Sequence, residues 1–222
     1  MKINIMGAIV PNDDAWVYEY LDMQCCSPAM VADALAEAAG QNVDVYINSG
    51  GGNIFAGSEI YTALRAYTGP LRLHVVGLAG SAASVIACAG WCDMSPTAMM
   101  MVHNVSAGAN GDYHDMERCA ETLKKANAAM AAAYVAKTGM SKADALAMMD
   151  KETWMTAQDA LDKELVDAIA EPAPTALSMT AAADGCLLSA ETMERIRNTV
   201  KSPAARKLAA EIEILKLKGE TV

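Results

Sequence analysis

Apolar, β-branched runs of strand length alternate with helix-patterned segments through the first half of the chain. The strand-like runs are "KINIMGAIV", "VDVYIN" and "LRLHVVGLA", with a shorter one, "MMMVHN", ending at His103. Between them, "SPAMVADALAEAAG" offers Ser27 as a helix cap, Pro28 in the first helical position and Gly40 at the end. "IFAGSEIYTALRAY" sets Ile54, Ile60, Leu64 and Tyr67 at helical spacing. A long helix is expected over about 113–138, then a second one opened by Ser141. Strands alternating with helices demand crossover connections, hence an α/β fold with a largely parallel sheet covered by helices. Chemistry in such sheets gathers at the carboxyl ends of the strands. "INSGGG" and "VVGLAGSAAS" are two such ends, so two glycine-rich turns are expected together at one sheet edge.

Bulk properties narrow the function. The chain has 222 residues, of which 53% are hydrophobic, enough for one folded domain with an appendage. A net charge of −10 and only 5% aromatic residues argue against nucleic-acid binding, which calls for a basic face and stacking rings. No run reaches the roughly 18 apolar residues of a membrane helix. "MKINIMGAIVPNDD" is too short in its apolar run for a signal peptide. Cys25, Cys26, Cys88, Cys92, Cys119 and Cys186 contain no C-x-x-C pair, which fits a reduced, cytoplasmic protein with buried free thiols. Past Ile169 the composition changes to "AEPAPTALSMTAAADG". The expected organisation is a domain over 1–170, a linker over 171–188 and a helical tail over 189–222. In the tail Ser202 caps, Pro203 follows, and Leu208, Ile212 and Leu215 form a stripe. Nothing in the tail assigns it a role.

The segment "AGSAASVIACAG" buries two serines, Ser81 and Ser84, among small residues, in what reads as a helix starting near Ser84. Close packing explains them, and so does a nucleophile with room for a substrate. A nucleophilic serine needs a base. His74 lies inside a strand, and His114 begins a polar helix. His103 ends a strand at the same sheet edge as Ser84, although on position alone a core or loop histidine is the commoner explanation. Glycines let a carbonyl approach backbone N–H groups, so "SGGGN" and Val85, the residue after Ser84, are candidate oxyanion donors. Gly50, Gly51 and Gly52 also fit a tight turn; no Lys follows in the phosphate-loop pattern. Ser84 is not in a G-x-S-x-G elbow. His114, Asp115 and Cys119 have metal-ligand types but poor spacing, so no metal or other cofactor is expected.

The order and wording of four motifs resemble the proteolytic subunit of the Clp protease (ClpP). They are "INSGGGNIFAG", "GSAAS", "MVHN" and "ETWMTAQDALDKELVDAI", within residues 1 to 170. The resemblance implies a ClpP/crotonase-like fold and a serine endopeptidase. It implies Ser84 as nucleophile, with Ser81 in the motif's variable position, and His103 as base. Glu152 would be the orienting acid where ClpP usually has Asp, with Asp150 as its alternative. Gly52 and Val85 would form the oxyanion hole. The helix over about 113–138 would be the handle through which rings stack. Gly50 in place of the motif's Pro, "MMMVHNVSAGANGD", "AAYVAKTGMS" and the tail are similar to the phage and prophage branch, the head maturation proteases. That branch implies a scaffold or capsid protein as substrate, in a bacterial host's cytoplasm or a phage prohead. It also implies a homo-oligomeric ring, heptameric or stacked double, with no Clp ATPase required.

Three other readings compete. A crotonase-type acyl-CoA enzyme explains the glycine turn but not a serine, a histidine and an acid in family order. A serine–lysine peptidase would use Lys124 or Lys125, which lie in a polar helix. An inactive capsid-assembly or scaffold-binding protein would be expected to have lost a triad member. For Met99, Met100 and Met101, core packing is the expected use, ahead of lining a substrate groove.

Overall fold

A computed structural model of the chain describes residues 1–171. Apart from Glu171, the expected linker and tail, with Cys186 in the first, lie outside the described residues. Among the described residues eight strands form one sheet. The strands are β1 (Lys2–Ile9), β2 (Cys25–Cys26), β3 (Val43–Gly52), β4 (Leu71–Gly80), β5 (Trp91–Met94), β6 (Met99–Val102), β7 (Thr153–Thr156) and β8 (Ala168–Ile169). The helices are α1 (Ala15–Tyr20), α2 (Pro28–Ala38), α3 (Ile54–Ala66), α4 (Ala82–Ala87), α5 (Tyr113–Thr138), α6 (Lys142–Asp150) and α7 (Ala157–Asp162). The main path runs β2-β1-β3-β4-β5-β8, all parallel. The expected α/β fold, a largely parallel sheet flanked by helices, is the fold observed.

β4 is the hinge of the design, because it has two partners in succession. Arg72 to Val75 pair with β5, and Leu78 to Gly80 pair with β6. The second pairing carries β6, and so His103 just beyond it, to the carboxyl end of β4. β7 then lies antiparallel on β6, with Met101 opposite Trp154 and Val102 opposite Thr153. β2, β5, β7 and β8 were not among the strands expected from the sequence.

The helices cover the sheet through the residues whose spacing announced them. Ile60 and Leu64 of α3 are buried with Val45, Ile47, Leu73 and Val75 of the central strands. Each such side chain contributes about 1.5–3 kcal/mol by leaving water. Caps differ in one place from expectation. Ser27 makes no side-chain cap bond at α2; Asn12 Oδ1 instead accepts the Ala29 N–H at 2.8 Å. Asn53 caps α3 and Ser141 caps α6 through their side chains. Met100 is fully buried, as core packing requires, while Met99 is exposed.

The five described cysteines are free thiols. Burial pushes the Cys26 and Cys88 thiols up to about 12 and raises Cys92 as well. The folded state thus holds these protons to higher pH than the unfolded chain, whose thiols ionise near about 8.5. Their contribution to stability is complete below that pH and is lost as pH rises toward about 12. Chemical denaturation should therefore show a midpoint that declines steadily above about pH 9. In the native protein at neutral pH, iodoacetamide should modify Cys119 well before Cys26, Cys88 and Cys92, as read by peptide mass spectrometry. Equal rates at Cys88 and Cys119 would contradict the burial argument.

Candidate active site

Ser81 is the pivot between β4 and α4. Its backbone sits at φ 53°, ψ −123°, a conformation that residues other than glycine seldom adopt. The chain needs that twist to leave the strand and enter the helix at once, as at the nucleophile elbow of α/β-hydrolases. Ser81 N–H donates to Met101 O at 2.8 Å, which fastens the turn to β6. Its hydroxyl meets His103 Nε2 at 2.8 Å. A serine hydroxyl in hydrogen-bond contact with an imidazole nitrogen is the minimal activated nucleophile, because proton and acceptor are already aligned.

The glycine turn is built around this elbow. A Cβ on Gly51, where φ is +96°, would lie 2.7 Å from both Gly80 O and Ser81 Cβ. One on Gly52, at φ +151°, would lie 2.1 Å from Ile9 O. Only glycine permits both the backbone angles and the approach. Ser49 helps hold the turn, accepting the Gly51 N–H at 3.0 Å and donating to Gly7 O at 2.6 Å. The expected meeting of two glycine-rich turns at one sheet edge is thus observed, with Ser81 between them.

Ser84 lies elsewhere. It is completely buried as the third residue of α4, where its hydroxyl is 2.6 Å from Ser81 O and 2.8 Å from the Tyr134 hydroxyl. The structure therefore brings Ser81, not the expected Ser84, to His103. Val85 is also displaced from its expected role, since its N–H donates to Ser81 O at 3.4 Å. The residue that follows the elbow serine is Ala82. As the first residue of α4 it has no intrahelical acceptor for its N–H. The physical reason for the difference is where α4 begins. It starts at Ala82, three residues after the strand's last paired alanine, rather than near Ser84.

The two candidate acids are placed differently. Asp150, at the end of α6, accepts a hydrogen bond from Asn104 Nδ2 at 2.7 Å. Asn104 in turn accepts from Asn127 Nδ2 at 2.8 Å, and Asn127 accepts the Val105 N–H at 2.7 Å. This network pins the residues after His103 to α5 and α6. Glu152 occupies the turn before β7 at φ +47°, and its carboxylate accepts the Trp154 indole N–H at 3.3 Å. Among the described residues neither carboxylate is hydrogen-bonded to His103. The β6–β7 ladder ends with Val102 opposite Thr153, so His103 and Glu152 are the two residues that directly flank its last pair.

The remaining candidates are not gathered here. His74 is held in the sheet, Nδ1 to Asp93 at 2.8 Å and Nε2 to Asp44 at 3.4 Å. His114 is exposed on the first turn of α5. Lys124 is exposed on α5 and pairs with Glu121 at 2.7 Å. Among the described residues no three His, Cys, Asp or Glu side chains are arranged to hold a metal ion. Ser81, expected in the motif's variable position, stands against His103, and Tyr134, which the sequence did not single out, stands against Ser84. For Ser81 a signal existed: it directly follows the last glycine of an apolar strand, where an elbow must lie. The Clp protease family model matches residues 23–173, a span that contains the elbow, both glycine turns, His103 and both carboxylates.

Proposed function

We propose that this chain, which belongs to the Clp protease family, is a serine endopeptidase that forms its acyl-enzyme on Ser81. The family is one of peptidases, whose members usually form oligomeric rings and act on protein substrates. The observation that carries the reading is the 2.8 Å contact between the Ser81 hydroxyl and His103 Nε2 at a strained elbow. Ser81 Oγ bonds to the scissile carbonyl carbon while its proton passes to His103 Nε2. The carbonyl oxygen becomes the oxyanion, and the Ala82 and Gly52 N–H groups are its donors. The C–N bond then breaks as His103 returns the proton to the leaving amine. Water, deprotonated by the same histidine, cleaves the Ser81 ester and restores the hydroxyl.

Glu152 is the acid in this reading, turning from Trp154 to accept the His103 Nδ1–H. Register supports it over Asp150, which is engaged with Asn104. Glu152→Gln should lower kcat by about 10²- to 10⁴-fold, since a wrongly oriented imidazole is a poor base. Asp150→Asn should stay within about tenfold of wild type, its role being to hold a neighbouring loop. Steady-state kinetics of the two variants decide between them.

The finer assignment is to the phage and prophage head maturation branch, cutting scaffold or capsid protein as a homo-oligomeric ring without an ATPase. Its support is sequence wording: Gly50 where ClpP has Pro, and "MMMVHNVSAGANGD" around the base. The test is proteolysis of an unfolded protein, with no nucleotide present, by a preparation whose mass is measured by light scattering. Cleavage by a ring supports the proposal. An intact substrate together with measurable acyl-CoA binding would point to a crotonase-type enzyme. An intact substrate without such binding would point to an inactive assembly protein.

A further inference from the structure

Ser84 and Tyr134 are both buried, polar and unused by the acylation chemistry just described. Their hydrogen bonds have only one possible polarity. Ser84 has a single hydroxyl proton, and the carbonyl of Ser81, 2.6 Å away, can only accept. Ser84 Oγ must therefore accept from Tyr134, whose hydroxyl lies 2.8 Å away. The result is a directed relay: Tyr134 O–H to Ser84 Oγ, and Ser84 O–H to Ser81 C=O. Burial raises the Tyr134 phenol above its ordinary range, so the donor stays protonated. The Ser84 N–H adds a further bond to the same carbonyl at 3.0 Å.

The carbonyl that receives these bonds belongs to the peptide plane joining Ser81 to Ala82. In a trans peptide, C=O and N–H lie in one plane and point in opposite directions. Whatever fixes the Ser81 carbonyl therefore also fixes the direction of the Ala82 N–H, and the strained backbone of Ser81, at φ 53°, leaves that plane in need of holding. We infer that the Tyr134–Ser84 relay is a positioning device that aims the Ala82 N–H at the developing oxyanion and holds the Ser81 elbow. It rests on Ser81 being the nucleophile and Ala82 an oxyanion donor. It runs from the last turns of α5 to the elbow, so packing of the long helix is connected directly to transition-state stabilisation.

The experiment follows phosphonylation of the full chain by a fluorophosphonate, recording separately the number of sites labelled and the rate per site. A phosphonyl oxygen must enter the oxyanion position for the reaction to proceed. Tyr134→Phe and Ser84→Ala should each label close to one site per chain, at a rate about tenfold below wild type. The double variant should be no slower than Ser84→Ala by more than about twofold, because both changes cut one relay. For the peptidase reaction kcat should fall by a similar factor, with KM little changed. Wild-type rates in both single variants would overturn the inference. So would a loss confined to the number of sites, which reports folding alone, or multiplicative losses in the double variant. Ser81→Ala is run beside them. If it labels like wild type, the nucleophile assignment is what fails, whatever the relay variants do.

Discussion

Ser81→Ala is expected to lower kcat by at least about 10⁴-fold, leaving only what binding and backbone donors supply. Ser84→Ala removes a hydroxyl of the same kind three residues away, and is expected to lose only about tenfold. The contrast is large because the two hydroxyls do different things. That of Ser81 is 2.8 Å from an imidazole nitrogen at the end of a strand. That of Ser84 is completely buried and committed to a carbonyl and a phenol. An Ala at 81 can keep the fold, since the elbow is held by backbone bonds to Met101 O and from the Ser84 N–H. The measurement is kcat for a cleaved peptide, with circular dichroism confirming that both variants are folded. A Ser84→Ala variant as inactive as Ser81→Ala would undo the assignment.

His103→Ala is the second large effect, expected at about 10³- to 10⁴-fold or more in kcat. Without the imidazole, the Ser81 hydroxyl has no acceptor for its proton and remains a weak nucleophile. KM should change much less, because His103 acts on the proton and not on the bound chain. Exogenous imidazole offers a check on the role: partial rescue of His103→Ala, with none of Ser81→Ala, identifies the lost function as proton transfer. A variant that keeps more than about a tenth of wild-type activity would show that another base serves Ser81.

How much of this was readable from residues alone depends on which physical signal each element carries. β1, β3 and β4 are long, apolar runs, and their order gave a parallel sheet with both glycine turns at one edge. The place of His103 at the sheet edge was legible because it ends a recognisable strand, while its role as base was what the Clp resemblance implied. β8 is two residues long, and "WCDM" of β5 has no β-branched residue, so neither stands out from its surroundings. The serine was harder for a different reason. "GSAAS" offers two hydroxyls in a run of alanines, where nothing in the composition says at which residue α4 begins. The one mark that Ser81 leaves in sequence is its place directly after Gly80, the last residue of β4; the strained φ itself leaves none. Glu152 came from the Clp resemblance, and its nearness to His103 depends on β7 pairing with β6, a contact between residues about fifty positions apart that no local pattern announces.

The most direct test of the central claim is to label the wild-type chain with a fluorophosphonate and locate the adduct by fragment-ion sequencing of the peptide that contains both serines. An adduct on Ser81, absent in Ser81→Ala and in His103→Ala, is the predicted result. An adduct on Ser84, or one on Ser81 that forms at an undiminished rate without His103, would contradict it.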